Sequence, residues 1–218
     1  MALPTIESYP MPERSALPAS CASWTVDPDR CALLVHDMQN HFVRAFPPGL
    51  PPVVELVRNI AALRELAGAL GIPVFFSAEP AAQQPGQRGL VADVWGPGIG
   101  DEADAAAIVG PLLPRPGEHV LANVRHNAFL RSHLGRLLRQ ENRDQLIICG
   151  VHAHLGVLLT AADAFMNDIQ PFVVADAVAD FSAEEHATAL RWAARSGVVR
   201  TTDALLHDLL LHRVPKDA

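Results

Sequence analysis

The residues best suited to chemistry lie at the ends of short apolar runs. LLVHDMQNHF carries His36, Asp37, Gln39 and Phe42 straight after an aliphatic stretch. SAEP presents Ser77 and Glu79 after IPVFF and leads into a proline- and glutamine-rich segment with Arg88 and Trp95. ANVRHNAF brings Asn123, Arg125, His126 and Asn127 to the end of a third run, and GVHAHLG brings His152, His154 and Gly156 to the end of a fourth. In open parallel sheets, ligands bind beyond the carboxyl ends of the strands, so four such clusters are expected to converge on one site.

Asp37 is the candidate acid. A carboxyl at the lip of a sheet is partly desolvated, which is expected to raise its pKa and keep a proton on it; the competing reading is a carboxylate that merely caps a turn. The segment from about Gly156 onward opens a helix whose free N–H groups suit an anion. His152 and His154 have a spacing seen in zinc sites, but no Cys or carboxylate stands at ligand spacing beside them, so no metal is expected. GPGIG at 96–100 follows no strand and contains Pro97, and it reads as a plain loop, not a phosphate cradle. With no G-x-S-x-G elbow, and no cysteine where a helix opens, covalent catalysis is disfavoured. No cofactor is expected.

These residues need a scaffold that alternates strands and helices. Apolar runs rich in Val, Ile and Leu at 31–36, 72–77, 118–122, 145–149, 171–175 and 197–201 read as strands covered on both faces. Between the first two, Val53, Leu56, Val57, Ile60, Leu63, Ala67 and Leu70 line one stripe of a helix ended by Gly71. Further helices are expected at 131–141, 157–167, 183–196 and 202–211, the third opened by a capping box of Ser182 and Glu185. The reading is a three-layer α/β/α sandwich with a six-stranded, mainly parallel sheet, forming a single domain over 1–218. Residues 1–30, proline-rich and without periodicity, are expected to lie over the body as an extended arm anchored by Tyr9, Met11, Leu17 and Trp24.

Composition narrows the class. Half of the 218 residues are apolar, enough for a core of this size. The net charge of −7 includes no basic run, so nucleic acid is not expected as a partner and a small molecule is. No apolar run approaches the roughly 18 residues that span a bilayer. Three scattered cysteines fit a reducing, cytoplasmic setting. Lys216 is the chain's single lysine, so no mechanism can rest on a buried one.

YPMPERSALP, LLVHDMQNHF, AEP with the following Arg88 and WGPG, RDQLIICGV, DAFMNDIQPFVVADAVADFS and TTD together resemble isochorismatases over nearly the whole chain. The resemblance implies the fold shared with cysteine hydrolases such as nicotinamidases, whose working set is Asp, Lys and Cys. It also implies an isochorismatase-like hydrolase of siderophore or antibiotic-type secondary metabolism. Such an enzyme cleaves the enolpyruvyl vinyl ether of isochorismate, or of its 2-amino-2-deoxy analogue, and releases pyruvate without metal or cofactor. In that scheme Asp37 protonates the vinyl ether carbon and water captures the oxocarbenium ion. Gly156 stands at the cysteine position and would leave space for substrate, while Phe42, Arg88 and Trp95 keep the family's residues.

The departures cluster in the site. The family's lysine is Asn123, its tyrosines are His126 and His152, and its glutamine is Glu79. Together with Gln39, these positions are expected to touch substrate. Loss of the ammonium is expected to leave Asp37 with a higher pKa, and protonated His126 and His152 to restore part of the positive charge. Two alternatives stay open: a changed substrate or reaction with His126 or His152 as base, and a non-catalytic pathway binding protein. A homodimer is the expected assembly.

Overall fold

The computed structural model describes residues 4–212, so Lys216 lies outside the described residues. Strands β1 (Cys31–His36), β2 (Val74–Ala78), β3 (His119–Ala122), β4 (Gln145–Val151), β5 (Gln170–Ala179) and β6 (Val198–Arg200) form one sheet in the order β3-β2-β1-β4-β5-β6. Every pairing is parallel, not merely most of them. The central strands β1 and β4 are buried along their whole length, which is why their sequences are apolar apart from His36 at the end of β1 and Gln145 at the start of β4.

Alternation along β1 divides the core in two. Leu33 and Val35 face a cluster with Leu56, Ile60 and Leu63 of the Val53–Leu70 helix and Leu205 and Leu209 of the Thr202–Leu211 helix. Ala32 and Leu34 face the opposite cluster, built with Leu134 and Leu138 of Leu134–Gln140, Ala161 and Ala164 of Leu158–Met166, and Ala189 and Leu190 of Ala183–Ser196. Period two in the strand and period 3.6 in the helices thus produce the three layers.

Helix ends follow the expected chemistry in part. Gly71 takes φ 69° and its N–H reaches the carbonyls of Ala67 and Gly68. Ser182 Oγ accepts from the Glu185 N–H at 3.1 Å, but the Glu185 carboxylate binds the Ser182 hydroxyl and not its backbone, so half of the capping box forms. The helix expected from 157 is preceded by a wide turn over Ala153–Val157, and the proline-rich stretch after β2 contains short helices at Pro85–Arg88 and Leu90–Trp95.

The arm lies over the body. Tyr9 is buried, Met11 and Trp24 pack on the first cluster and Leu17 on the second, while Ile6 and Val26 are buried more deeply than any of these. The Tyr9 hydroxyl accepts the Asp180 N–H at 2.7 Å, which fixes the arm to the segment beyond β5.

Between Ile148 and Gly150 the register of β4 on β5 shifts. Gly150 sits at φ 112°, where a Cβ would lie 2.1 Å from the carbonyl oxygen of His36. Glycine is therefore required at this close approach of β4 to β1. The crossing lies directly beneath the polar clusters described next.

Candidate active site

The carboxyl ends of β1, β2, β3 and β4 surround a cavity of about 390 Å³, within the usual range of small-molecule sites. Asp37, Phe42, Glu79, Arg88, Trp95, Asn123, His126, His152 and Gly156 all line it. Gln39 does not. Its side chain is buried and fully engaged with backbone, donating to the carbonyls of Glu79 and Ala106 at 2.9 and 2.8 Å and accepting the Glu79 N–H at 2.7 Å. Its role is to join the ends of β1 and β2, not to hold a ligand.

Asp37 follows β1 with φ 48°, an uncommon backbone for a residue other than glycine and of a kind that gathers at functional sites. Its N–H donates to the Ser77 carbonyl and hydroxyl, and the Ser77 hydroxyl donates to Oδ1 at 2.8 Å. Asn123 Nδ2 bridges both carboxylate oxygens, 3.1 Å from Oδ1 and 3.0 Å from Oδ2. Asn123 thus sets one neutral amide nitrogen between both carboxylate oxygens, where the resemblance implies a lysine's charge, and its own Oδ1 is buried without a hydrogen-bond partner among the described residues.

The expected rise in the pKa of Asp37 is overturned. Burial does press it upward, but the neighbouring His36 and the donors Ser77 and Asn123 outweigh burial and hold the carboxyl below its ordinary value. The turn-capping reading also fails, because these partners come from three different strand ends.

Glu79 and Arg88 form a tight ion pair. Arg88 Nε also donates to the Gly96 carbonyl at 2.9 Å. A Cβ on Gly98 would fall 2.1 Å from Arg88 Nη1 and 2.2 Å from Glu79 Oε1, so the GPGIG loop, expected to be featureless, makes room for this pair. Burial lifts the Glu79 pKa, Arg88 and the Ile99 N–H oppose the rise, and the net direction is upward. Arg125, outside the expected substrate contacts, lines the same cavity and has no carboxylate partner among the described residues; one of its amino groups is fastened to the carbonyls of Gln87 and Val124.

The two histidines in the tyrosine positions do not act as cations. Burial lowers the pKa of His152 to about 3, and burial likewise lowers that of His126. His152 packs among Phe42, Phe46 and Phe181, with its Nε2 buried and unpartnered, and Trp95 stands edge-on to His126. Both rings serve the cavity as polar aromatics. A base as weak as His152 is also poorly matched to proton abstraction near neutral pH.

His154 and the start of the following helix are both committed within the fold. His154 turns away from His152, binding Asp180 through Nδ1 at 2.7 Å, while the second Asp180 oxygen takes the His154 N–H at 2.6 Å. Leu155 and Val157 donate to the His152 carbonyl, so this helix start uses donors internally that an anion would need. Glu185 lies near His154 and Asp180, the one metal-like trio among the described residues, but it is engaged with Ser182. Asn127 binds Asp163 at 2.7 Å and is structural.

Gly156 borders the cavity, yet the room it leaves is not for substrate. A Cβ there would lie 2.3 Å from Cε1 of His36, whose wholly buried ring fills the space. Sequence reasoning placed His36 in the motif without giving it a part. The signal that could have found it is its position one residue before the acid on a strand otherwise entirely apolar.

The geometry describes a cavity at the strand ends with Asp37 at its edge and glycine at 156, the position where the resemblance to cysteine hydrolases places a nucleophile. The isochorismatase domain family model matches residues 31–204. The chain is 48% identical over 210 residues to an isochorismatase of Bacillus subtilis, covering 96% of this chain and 67% of that one. It is 45% identical over 205 residues to the phenazine biosynthesis protein PhzD of Pseudomonas fluorescens, covering 94% and 98%. A cysteine hydrolase from Pseudomonas syringae superposes with a TM-score of 0.79 at 20% identity, over 89% of this chain and 98% of that one, a likeness of fold. The chain belongs to the isochorismatase family and is an isochorismatase-like hydrolase. Among the described residues no helix is long and apolar enough to cross a membrane.

Proposed function

We propose that the chain hydrolyses the enolpyruvyl ether of isochorismate or its 2-amino-2-deoxy analogue, releasing pyruvate, in siderophore or antibiotic biosynthesis. The observation that carries this reading is the placement of Asp37: a single carboxyl, held by Ser77 and Asn123 at the edge of an aromatic-lined cavity, with glycine where a nucleophile would stand. Such a site can deliver a proton and cannot form an acyl-enzyme. The names carried by the Bacillus and Pseudomonas relatives support the same substrate class.

Phe42, Trp95, Phe181 and His152 would sandwich the cyclohexadiene ring, and Arg125 would meet a substrate carboxylate. Protonation of the terminal vinyl carbon by Asp37 produces an oxocarbenium ion, and water adds to it. The hemiketal then collapses to pyruvate and the ring, which keeps its 2-hydroxyl or 2-amino group and gains a hydroxyl where the ether stood.

A lactate-dehydrogenase-coupled assay on both substrates tests this. Asp37→Ala should lose about 10²–10⁴-fold in rate, the usual share of a general acid. Silence of the wild type on both substrates, or full activity in the alanine variant, refutes the proposal. A second reading is favoured by Glu79, which neutralises Arg88: the same hydrolysis on a less anionic enol ether. Faster turnover of a monoester of isochorismate than of isochorismate itself would select it.

A further inference from the structure

His36 ends β1, and its ring is wholly buried. Nε2 lies 3.1 Å from the carbonyl oxygen of His126. A carbonyl only accepts, so Nε2 carries a hydrogen. Nδ1 then lies 3.2 Å from Oδ2 of Asp37, within ion-pair range but without hydrogen-bond geometry, and has no hydrogen-bond partner among the described residues.

A neutral ring protonated on Nε2 presents a bare lone pair at Nδ1, and a carboxylate presents another at Oδ2. Two buried acceptors at this distance repel one another. One proton between them removes the conflict, either as imidazolium against carboxylate or as imidazole against carboxylic acid.

We propose that His36 and Asp37 are a one-proton pair, with His36 a positioning residue that holds the proton Asp37 delivers, seated in the space left by Gly156. Its catalytic use rests on the enol ether reading above; its proton count does not.

The surroundings favour His36 as the proton's holder. Asn123 and Ser77 donate to the carboxylate, which suits the ionised form at rest. The other titratable groups whose charge is felt here are His126, His152, His154, Glu79 and Arg88. Arg88 is held by Glu79 and His154 by Asp180, while burial keeps His126 and His152 neutral near pH 7. An acid whose carboxyl is held ionised needs a reserve, and His36 is the group in contact with it.

The step balances. At rest the proton is on His36 Nδ1. Substrate entry excludes water and the proton passes to Asp37 Oδ2, leaving neutral imidazole. The vinyl π electrons take that proton at the terminal carbon, the O–H bond breaks, and the ether oxygen shares the cationic charge. Water adds its oxygen to the oxocarbenium carbon and its proton returns to the pair. The hemiketal hydroxyl proton leaves with the alkoxide as the C–O bond breaks.

The same geometry explains the glycine. The resemblance to cysteine hydrolases places their nucleophilic side chain at position 156; here a Cβ would overlap three atoms of the His36 ring. A nucleophile at 156 and a proton-holding ring at 36 exclude each other.

The test is NMR on the full chain labelled with ¹⁵N-histidine and ¹³C-aspartate, with His36→Gln and Asp37→Asn assigning the signals. Between pH 6 and 8 the pair should carry one proton beyond that on Nε2, on Nδ1 or on the carboxyl. An ionised Asp37 beside an unprotonated Nδ1 at pH 7 overturns the proposal, and this readout needs no substrate. In kinetics, His36→Gln keeps an N–H for the His126 carbonyl but holds no transferable proton. It should lower kcat about 100-fold with KM within about threefold, and change the pH profile. Unchanged kcat and pH profile in that variant also overturn it. If the wild type releases no pyruvate while NMR counts one proton, the enol ether reading fails and the pair stands.

Discussion

Gly156→Ala is the sharpest probe of how this site is assembled. The added methyl would lie 2.3 Å from Cε1 of His36, 2.8 Å from Nδ1 and 2.9 Å from Nε2, where ordinary contact begins at 3.4 Å. The ring must retreat by about 1.1 Å, the difference between 3.4 and 2.3 Å. It cannot do so freely: its backbone belongs to the central strand, and Nε2 is tied to the His126 carbonyl. Overpacking of this kind costs about 1–3 kcal/mol. For a chain of this length that lowers Tm by about 2–12 °C, at about 2–4 °C per kcal/mol. A displacement near 1 Å beside the acid should also cost about 10²-fold in pyruvate release. The stringent measurement is a double-mutant cycle by thermal unfolding. His36→Ala removes the ring, so adding Gly156→Ala on that background should cost almost nothing, giving a coupling of about 1–3 kcal/mol. If the glycine substitution costs the same in both backgrounds, the ring is not what Gly156 accommodates.

Glu79→Gln should release Arg88 to the substrate and lower KM for isochorismate about 10-fold with kcat little changed, the scale of one charge-assisted hydrogen bond; an unchanged or higher KM in initial-rate kinetics would refute it. Acid should destabilise the fold through its buried histidines. Burial depresses the pKa of His152 to about 3 and of His186 to about 4, so between pH 6.5 and 4 the unfolded chain binds more protons than the folded one. Their contribution is complete above pH 6.5 and drains away as pH falls, at up to about 2.7 kcal/mol per pH unit for the two together. Tm measured from pH 7 to 4 should fall accordingly, and His152→Phe should flatten the fall. Tyr9→Phe leaves the buried Asp180 N–H without its 2.7 Å acceptor and should lower stability by about 1–3 kcal/mol; a wild-type Tm would show that the arm is not part of the folding unit.

The sheet was legible because covered strands and amphipathic helices write their periods directly into the chain. Cys31–His36 and Val53–Leu70 emerge with the expected bounds, whereas β5 runs on to Ala179 past the run read at 171–175. Its extension includes Asp176, whose carboxylate receives the N–H and hydroxyl of Thr202, a partner 26 residues away that interrupts the apolar pattern. The short helix at 85–88 was hidden by its own proline, glycine and glutamine, residues that report turns more readily than helices, and the one at 90–95 by its six-residue length between Gly89 and Gly96.

The site was legible as a set of residues and not as a set of charges. Asp37, Asn123 and Gly156 could be picked out singly, but the sign of the Asp37 pKa shift depends on partners brought together by strand register. His36 lies opposite Ser77 on one side and Gly150 on the other, so one register delivers the hydroxyl that holds the carboxylate and the glycine that lets β4 approach. A slip of one residue would reverse which face each side chain meets. The missing lysine, read alone, argued for a protonated acid. Placed among its neighbours, it leaves a carboxyl held below its ordinary pKa, and the titratable group in contact with it is the histidine beside it. That histidine fits only because position 156 has no side chain, so the ring at 36 and the glycine at 156 depend on each other in a way that neither residue shows when taken singly.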